Sequence, residues 1–231
     1  MNLIVTGGSG FIGSNFIDYW LLNHPNDKIT NIDKLTYASN PWFNRFAVMS
    51  RNYRFKKIDI SNRSDIIETF YDAEVVVNFA AESHVDRSIT DPGKFIKSNF
   101  FGVYNLLEMA RKKDFRFHQV STDEVYGSLD STHSPSFTEE SAYNPRNPYS
   151  ATKASADFLV RSYVNTYGIN ATISNCGNNF GPHQHPEKLI PKTIISALNN
   201  SKISIYGNGQ QIRDWVFVES SEPYTSSVET W

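Results

Sequence analysis

Leu3-Ile4-Val5-Thr6-Gly7-Gly8-Ser9-Gly10-Phe11-Ile12-Gly13 decides the fold. A short apolar run ends in a cluster of glycines, after which Phe11, Ser14, Ile17 and Leu21 recur at helical spacing, so the stretch reads as strand, tight turn, helix. Gly8, Gly10 and Gly13 match the general dinucleotide fingerprint, while Gly7, Gly10 and Gly13 match a variant with one more residue between the first pair. Side chains at these points would keep a pyrophosphate from the helix N-terminus, or the helix from the sheet. The glycines alone also fit a plain tight turn; the strand-turn-helix context selects nucleotide binding. A second apolar run, Ile29 to Ile32, ends in Asp33, twenty residues after Gly13. An acid there accepts hydrogen bonds from ribose hydroxyls and repels a 2′-phosphate, which favours NAD over NADP. A helix-capping Asp would look the same, so Asp33 draws its meaning from the glycines.

Strand and helix patterns alternate along the rest of the chain. Strands are expected at Tyr53 to Ile58, Glu74 to Phe79, Phe115 to Val120, Ala171 to Cys176 and Ile203 to Tyr206. Helices are expected at Ser64 to Tyr71, Phe95 to Arg111, Pro148 to about Tyr167 and Leu189 to Leu198. The aromatic, Asn-rich stretch from Leu35 to Arg54 reads as a loop with one short helix, and Ser128 to Asn147 as a long excursion at a strand end. Alternation without repeat or linker implies an α/β fold with a doubly wound parallel sheet of the Rossmann type.

The 231 residues carry 22 basic and 24 acidic side chains, interspersed, for a net charge of -2, which gives no pull toward nucleic acid or an anionic membrane. Cys176 is the one cysteine and cannot form an internal disulfide; the N-terminus has neither the basic start nor the apolar run of a signal peptide. No apolar stretch reaches the roughly 20 residues of a membrane-spanning helix. The expected compartment is the cytoplasm, and no metal site is expected.

A second stretch carries chemistry: Gln119-Val120-Ser121-Thr122-Asp123-Glu124-Val125-Tyr126-Gly127, followed by Tyr149 and Lys153. Four apart on a helix, Tyr149 and Lys153 share a face, and the ammonium is expected to lower the phenol pKa. A Tyr-x-x-x-Lys pair is common by chance; its place after the fifth strand of a nucleotide-binding sheet gives it meaning. Asp123 and Glu124 read on their own as a solvated pair, but directly behind a buried strand they reach the ligand end of the sheet. Crowding them raises one pKa, so that one acts as acid and the other as base, as elimination of water requires.

These segments, with Ala80-Ala81-Glu82-Ser83-His84, Asn178-Asn179-Phe180-Gly181-Pro182, Pro186-Glu187-Lys188-Leu189-Ile190-Pro191 and Arg213-Asp214-Trp215, resemble the dTDP-glucose 4,6-dehydratases of the extended short-chain dehydrogenase/reductase superfamily. The likeness runs to about Glu219, and the Thr122-Asp123-Glu124 triplet distinguishes it from the sugar epimerases of that superfamily. It implies a hydro-lyase, a homodimer, with NAD contacted by Gly7, Gly10, Phe11, Ile12, Gly13, Asp33, Lys34, Leu35, Thr36, Asp59, Ile60, Ala80, Ala81, Ser98, Tyr149, Lys153 and Asn179. The nucleotide-sugar substrate, dTDP-glucose, would be held by Ser83, Thr122, Asn178, Glu187, Lys188, Leu189, Tyr206 and Arg213, the last through a bidentate grip on phosphate. Tyr149, aided by Lys153 and Thr122, would take the 4-hydroxyl proton, Glu124 the C5 proton, and Asp123 would protonate the departing 6-hydroxyl.

The chain departs from the resemblance after Glu219. Residues 220–231 match nothing in it and have no period, whereas the family continues into a substrate lobe. The expectation is an NAD-binding domain over residues 1–219 with part of the substrate site, a tail unrelated to the family, and dehydration impaired by the missing lobe. Two alternatives stay open: a UDP-sugar dehydratase or epimerase of the same superfamily, and a non-catalytic NAD-binding remnant.

Overall fold

The computed structural model describes residues 1–129, 136–205, 207–210 and 212–220. In chain order its elements are β1 (Asn2–Thr6), α1 (Phe11–Asn23), β2 (Lys28–Asp33), β3 (Tyr53–Lys57), α2 (Arg63–Ile66), β4 (Val75–Asn78), α3 (Val85–Thr90), α4 (Pro92–Phe95), α5 (Gly102–Lys113), β5 (Arg116–Thr122), α6 (Pro148–Tyr167), β6 (Ala171–Cys176), β7 (Asn178–Phe180), α7 (Leu189–Leu198) and β8 (Trp215–Phe217).

The first six strands form one parallel sheet in the order β3-β2-β1-β4-β5-β6. Side chains alternate across it. Ile4, Val76 and Phe117 share one core with Leu106 of α5 and Val160 of α6, while Leu3, Val5, Val75 and Val77 meet Phe16 and Trp20 of α1 on the other. Both faces being covered, the strands read as continuous apolar runs. Strand order reverses between β1 and β4, and a crevice opens there at the carboxyl ends of the strands.

Local chemistry explains the element ends. Asn147 accepts the Ser150 N–H at 2.8 Å in a capping box, Pro148 supplies a preset φ in the first turn, and Gly168 closes α6 in the left-handed region at φ +67. The predicted helix over Phe95 to Arg111 belongs to a helical run from Pro92 to Lys113, widened into a π turn over Ile96–Phe101. The widening puts Asn99 where it brackets the Glu82 backbone, accepting its N–H at 2.8 Å and donating to its carbonyl at 3.0 Å.

Three expectations are corrected. Only Arg63–Ile66 of the expected helix over Ser64 to Tyr71 is regular; Ile66 and Phe70, both fully buried, hold the segment by packing, because one helical turn cannot sustain itself. Ile203 to Ile205 is irregular and exposed rather than a strand, and joins neither sheet among the described residues. In its place β7 and β8 pair in parallel as a two-stranded sheet, three residues each and too short to show a period. The stretch from Leu35 to Arg54 holds two 3-10 turns, Pro41–Asn44 and Ala47–Met49, where one short helix was expected. Among the described residues no helix is long and apolar enough to cross a membrane, and no group of three or more His, Cys, Asp or Glu could hold a metal ion.

Candidate active site

A cleft of about 780 Å³ lies over the carboxyl ends of β1, β2, β4, β5 and β6, with β7 and α7 on its far side. The glycine turn forms one end. Gly7 has φ +71, and a Cβ there would fall 2.6 Å from the Ala80 nitrogen; a Cβ on Gly13 would fall 2.5 Å from the Gly7 carbonyl oxygen. Gly8 instead packs away from the cleft, against Asn31 and Ile17, so the variant spacing Gly7, Gly10, Gly13 is the one that faces the ligand space. No side chain caps α1, leaving its first N–H groups open beside Gly10, Phe11 and Ile12. A helix start of this kind is complementary to a pyrophosphate.

At the end of β2, Asp33 accepts the Ser9 N–H at 3.1 Å, the Leu35 N–H at 2.8 Å and the Ser39 hydroxyl at 3.0 Å. These bonds fix the carboxylate on the cleft wall. Lys34, Thr36, Ile60, Ala80, Ala81, Ser98 and Asn179 line the same half, and Lys34 is paired with Glu82 at 3.3 Å. The cradle, the free helix start and the acid together fit an adenine dinucleotide. Leu35 and Asp59 fall outside this lining. Leu35 turns the chain at φ +59, and Asp59 spends one carboxylate oxygen on the Ser61 N–H and hydroxyl.

The middle of the cleft collects the acid/base residues. β5 delivers Thr122, and the 3-10 turn Asp123–Tyr126 starts on it, with the Thr122 hydroxyl accepting the Glu124 N–H at 3.3 Å and donating to Asp123 at 3.2 Å. Tyr149 hydrogen-bonds Thr122, its ring edge packing on Phe95. Glu124 faces the cleft and takes an N–H of Asn147 at 3.2 Å. Asp123 sits behind it, outside the lining; burial raises its carboxyl above the ordinary range, with Thr122 and Arg213 opposing. The upward shift at Asp123 comes from burial, and the expected crowding by Glu124 is not among its causes.

Lys153 departs from its expected part. Its ammonium is buried and donates to the Val120 carbonyl at 2.6 Å, while burial and the Glu124 carboxylate hold the Tyr149 phenol well above its ordinary range. In this geometry Lys153 does not lower Tyr149.

At the mouth, Ser83, Asn178, Glu187, Lys188, Leu189 and Arg213 all line the cleft, and Tyr206 lies outside the described residues. Lys188 donates to the Ser83 carbonyl at 3.1 Å. Glu187 accepts from Tyr37 at 3.1 Å and pairs with His84 at 3.4 Å, His185 at 3.6 Å and Arg87 at 3.7 Å. Arg213 donates to the neighbouring Ile212 carbonyl at 2.8 Å, is exposed, and acts electrostatically on Asp123. Sequence reasoning missed Ser121, Cys176, Gly177, Gln184 and His185, which also line the cleft. Ser121 alone had a signal, standing beside Thr122 at the end of a buried strand.

A parallel six-stranded sheet with a glycine turn under the dinucleotide site and a Tyr/Lys pair across the cleft defines the short-chain dehydrogenase/reductase class. The family described as GDP-mannose 4,6 dehydratase matches residues 4–221, and the chain belongs to it, among the dTDP-glucose 4,6-dehydratases. It is 49% identical over 231 residues to the dTDP-glucose 4,6-dehydratase of Haemophilus influenzae, covering 95% of this chain and 68% of that protein. With that of Salmonella typhimurium it shares 47%, covering 95% and 66%. The chain thus spans about two thirds of the length of these curated relatives. Among solved structures, a dTDP-glucose 4,6-dehydratase from Streptomyces venezuelae with NAD and TYD bound superposes with TM-score 0.93 at 39% identity, covering 100% of this chain and 72% of that one. The Bacillus anthracis enzyme in complex with NAD gives 0.89 at 41%, covering 100% and 71%. A UDP-glucuronic acid 4-epimerase from Bacillus cereus shares the fold at 0.91 with 26% identity, covering 100% and 74%.

Proposed function

We propose that the chain carries out NAD-dependent 4,6-dehydration of a nucleoside-diphosphate glucose, dTDP-glucose, to the 4-keto-6-deoxy sugar. The observation that carries this reading is the convergence of Thr122, Glu124 and Tyr149 on one cleft, with a half-buried Asp123 behind them whose carboxyl burial raises above its ordinary range. NAD held in this cradle would supply the hydride acceptor for C4 and the hydride donor for C6. Tyr149, hydrogen-bonded to Thr122, takes the 4-hydroxyl proton once Lys153 turns from Val120 toward the cleft and stabilises the phenolate. The 4-ketone acidifies C5, Glu124 removes that proton, Asp123, its pKa raised by burial, gives a proton to the departing 6-hydroxyl, and Glu124 returns its proton to C5 as hydride reaches C6. Glycines 7, 10 and 13 with the α1 start hold the pyrophosphate, and Asp33 holds the ribose.

Lys188 and Arg213 bind the sugar-nucleotide diphosphate, Arg213 by rotating off Ile212. The base is thymine rather than uracil on the strength of the relatives' names. We further assign residues 1–219 as the dinucleotide-binding unit with part of the sugar-nucleotide site, and 220–231 as a tail outside the family's sequence pattern. A cytoplasmic homodimer completes the reading, supported by a single cysteine and by Phe101 and Phe158, which stay about half exposed on helices covering the sheet.

Incubation of the purified chain with NAD and dTDP-glucose, then UDP-glucose, with detection of the 4-keto-6-deoxy product, tests the proposal. NAD binding without turnover of either sugar would favour the alternative of a dinucleotide-binding chain that does no chemistry.

A further inference from the structure

We propose that Asp157 is a positioning residue for the Tyr149/Lys153 pair, its buried carboxylate holding the Lys153 side chain as an ammonium beneath the cleft. Residues 149, 153 and 157 stand four apart on α6 and so run along one face of the helix. Lys153 is 4% exposed and Asp157 fully buried, a depth at which each charge is costly without an opposite one nearby. The groups around Lys153 from β5 and β6 are the Val120 carbonyl and the Cys176 thiol; Asp157 is the carboxylate that acts on it.

Asp157 is in turn fixed from three elements. Its Oδ2 accepts from the Ser121 hydroxyl of β5 and, at 3.2 Å, from the Tyr143 hydroxyl of the segment before α6. Tyr143 also accepts from Arg161 of α6 at 3.2 Å and from Asn175 of β6 at 3.5 Å. The charged and titratable groups facing Asp157 are thus Lys153, Arg161, Tyr143 and Tyr126. The other carboxylate oxygen, Oδ1, is buried with no hydrogen-bond partner among the described residues. An apolar or amide side chain would fill this place for packing alone; the acid puts a carboxylate one helical turn from Lys153. Burial drives Asp157 up and Lys153 down, and each is the leading charge opposing the other's shift.

The inference rests on the proposed function only for what Lys153 does when charged. The test is an NMR pH titration of the full chain with labelled lysine side chains, Lys153 being assigned by its loss in Lys153→Gln. In Asp157→Asn the Lys153 acid constant should rise at least about tenfold, a fall of about one pH unit, and NAD affinity should weaken, whereas Asp157→Glu restores the titration. An unchanged Lys153 titration in a folded Asp157→Asn overturns the proposal. Should that variant fail to fold, the wild-type Asp157 carboxyl carbon decides: it must report an ionised acid at neutral pH and respond as Lys153 deprotonates, and a neutral acid there overturns the proposal. Failure of the wild-type chain to bind NAD would count against the functional reading while leaving the lysine titration to decide this one.

Discussion

Gly10→Ala separates binding from folding. The residue caps α1 with φ -86, a value any side chain adopts, and an added Cβ would meet only the Gly7 carbonyl oxygen, at 3.2 Å. A shift of a few tenths of an ångström relieves that, so the stability cost should stay near the ~1 kcal/mol that separates Gly from Ala at a helix N-cap. The methyl group enters the cleft at the helix start, where the proposed reading puts the pyrophosphate against the open N–H groups. Displacing two hydrogen bonds to a charged group, each worth about 1.5–3 kcal/mol, predicts NAD affinity lower by roughly two to four orders of magnitude. Gly7→Ala is the contrast. It combines φ +71 with a contact at 2.6 Å to the Ala80 backbone, so the turn must move off the end of β4 and stability should fall along with binding. Calorimetric titration with NAD beside urea unfolding of both variants measures the two quantities separately. Wild-type NAD affinity in a folded Gly10→Ala would refute placement of the pyrophosphate at this turn.

Three other perturbations follow from the same geometry. Asp33→Ala removes the charge facing the ribose, so the preference for NAD over NADP should shrink by at least about tenfold; an unchanged ratio of the two dissociation constants would place the ribose elsewhere. Glu124→Gln should still oxidise dTDP-glucose at C4 in a single turnover, read as NADH absorbance, yet release no 4-keto-6-deoxy sugar; loss of the absorbance too would assign Glu124 to hydride transfer. His118, fully buried between Thr172 and Ser174, is held by burial at about 4 against an ordinary 6.5. Between those values the unfolded chain binds a proton that the folded chain does not, so stability present above pH 6.5 is lost as pH falls toward 4. About 2.5 pH units at 1.36 kcal/mol each gives roughly 3 kcal/mol, measurable as the difference in pH slope between wild type and His118→Gln in urea melts, and parallel slopes would sink the argument.

What the sequence made legible and what it hid divide along one physical line. A prolyl first turn is a local signal, and Pro148 opens α6 where the pattern put it; the Asn147 cap and the left-handed Gly168 are equally local signals that the reading did not use. The glycine turn was equally local, although choosing Gly7 over Gly8 as the ligand-facing residue required knowing that Asn31 and Ile17 fill the space behind Gly8. Ile203 to Ile205 misled because alternation reports only what a strand could bury; whether a sheet edge exists beside it is settled by the rest of the fold.

The same line runs through the site. Tyr149, Lys153, Thr122 and Glu124 were legible because adjacency along one strand end and one helical turn brings them together. The pairing of Glu187 with His84 and Arg87 joins residues about a hundred positions apart, and the bond from Tyr143 to Asp157 depends on how an irregular segment folds back onto α6. Neither has a spacing to read. The electrostatics follow suit: the sequence placed an ammonium one turn from a phenol and inferred a lowered pKa, while burial and the Val120 carbonyl, which only the folded chain supplies, reverse that inference. Spacing along a helix reports which side chains share a face, and the depth at which that face is buried, which sets the sign of the shift at Tyr149, comes from the sheet packed beneath it.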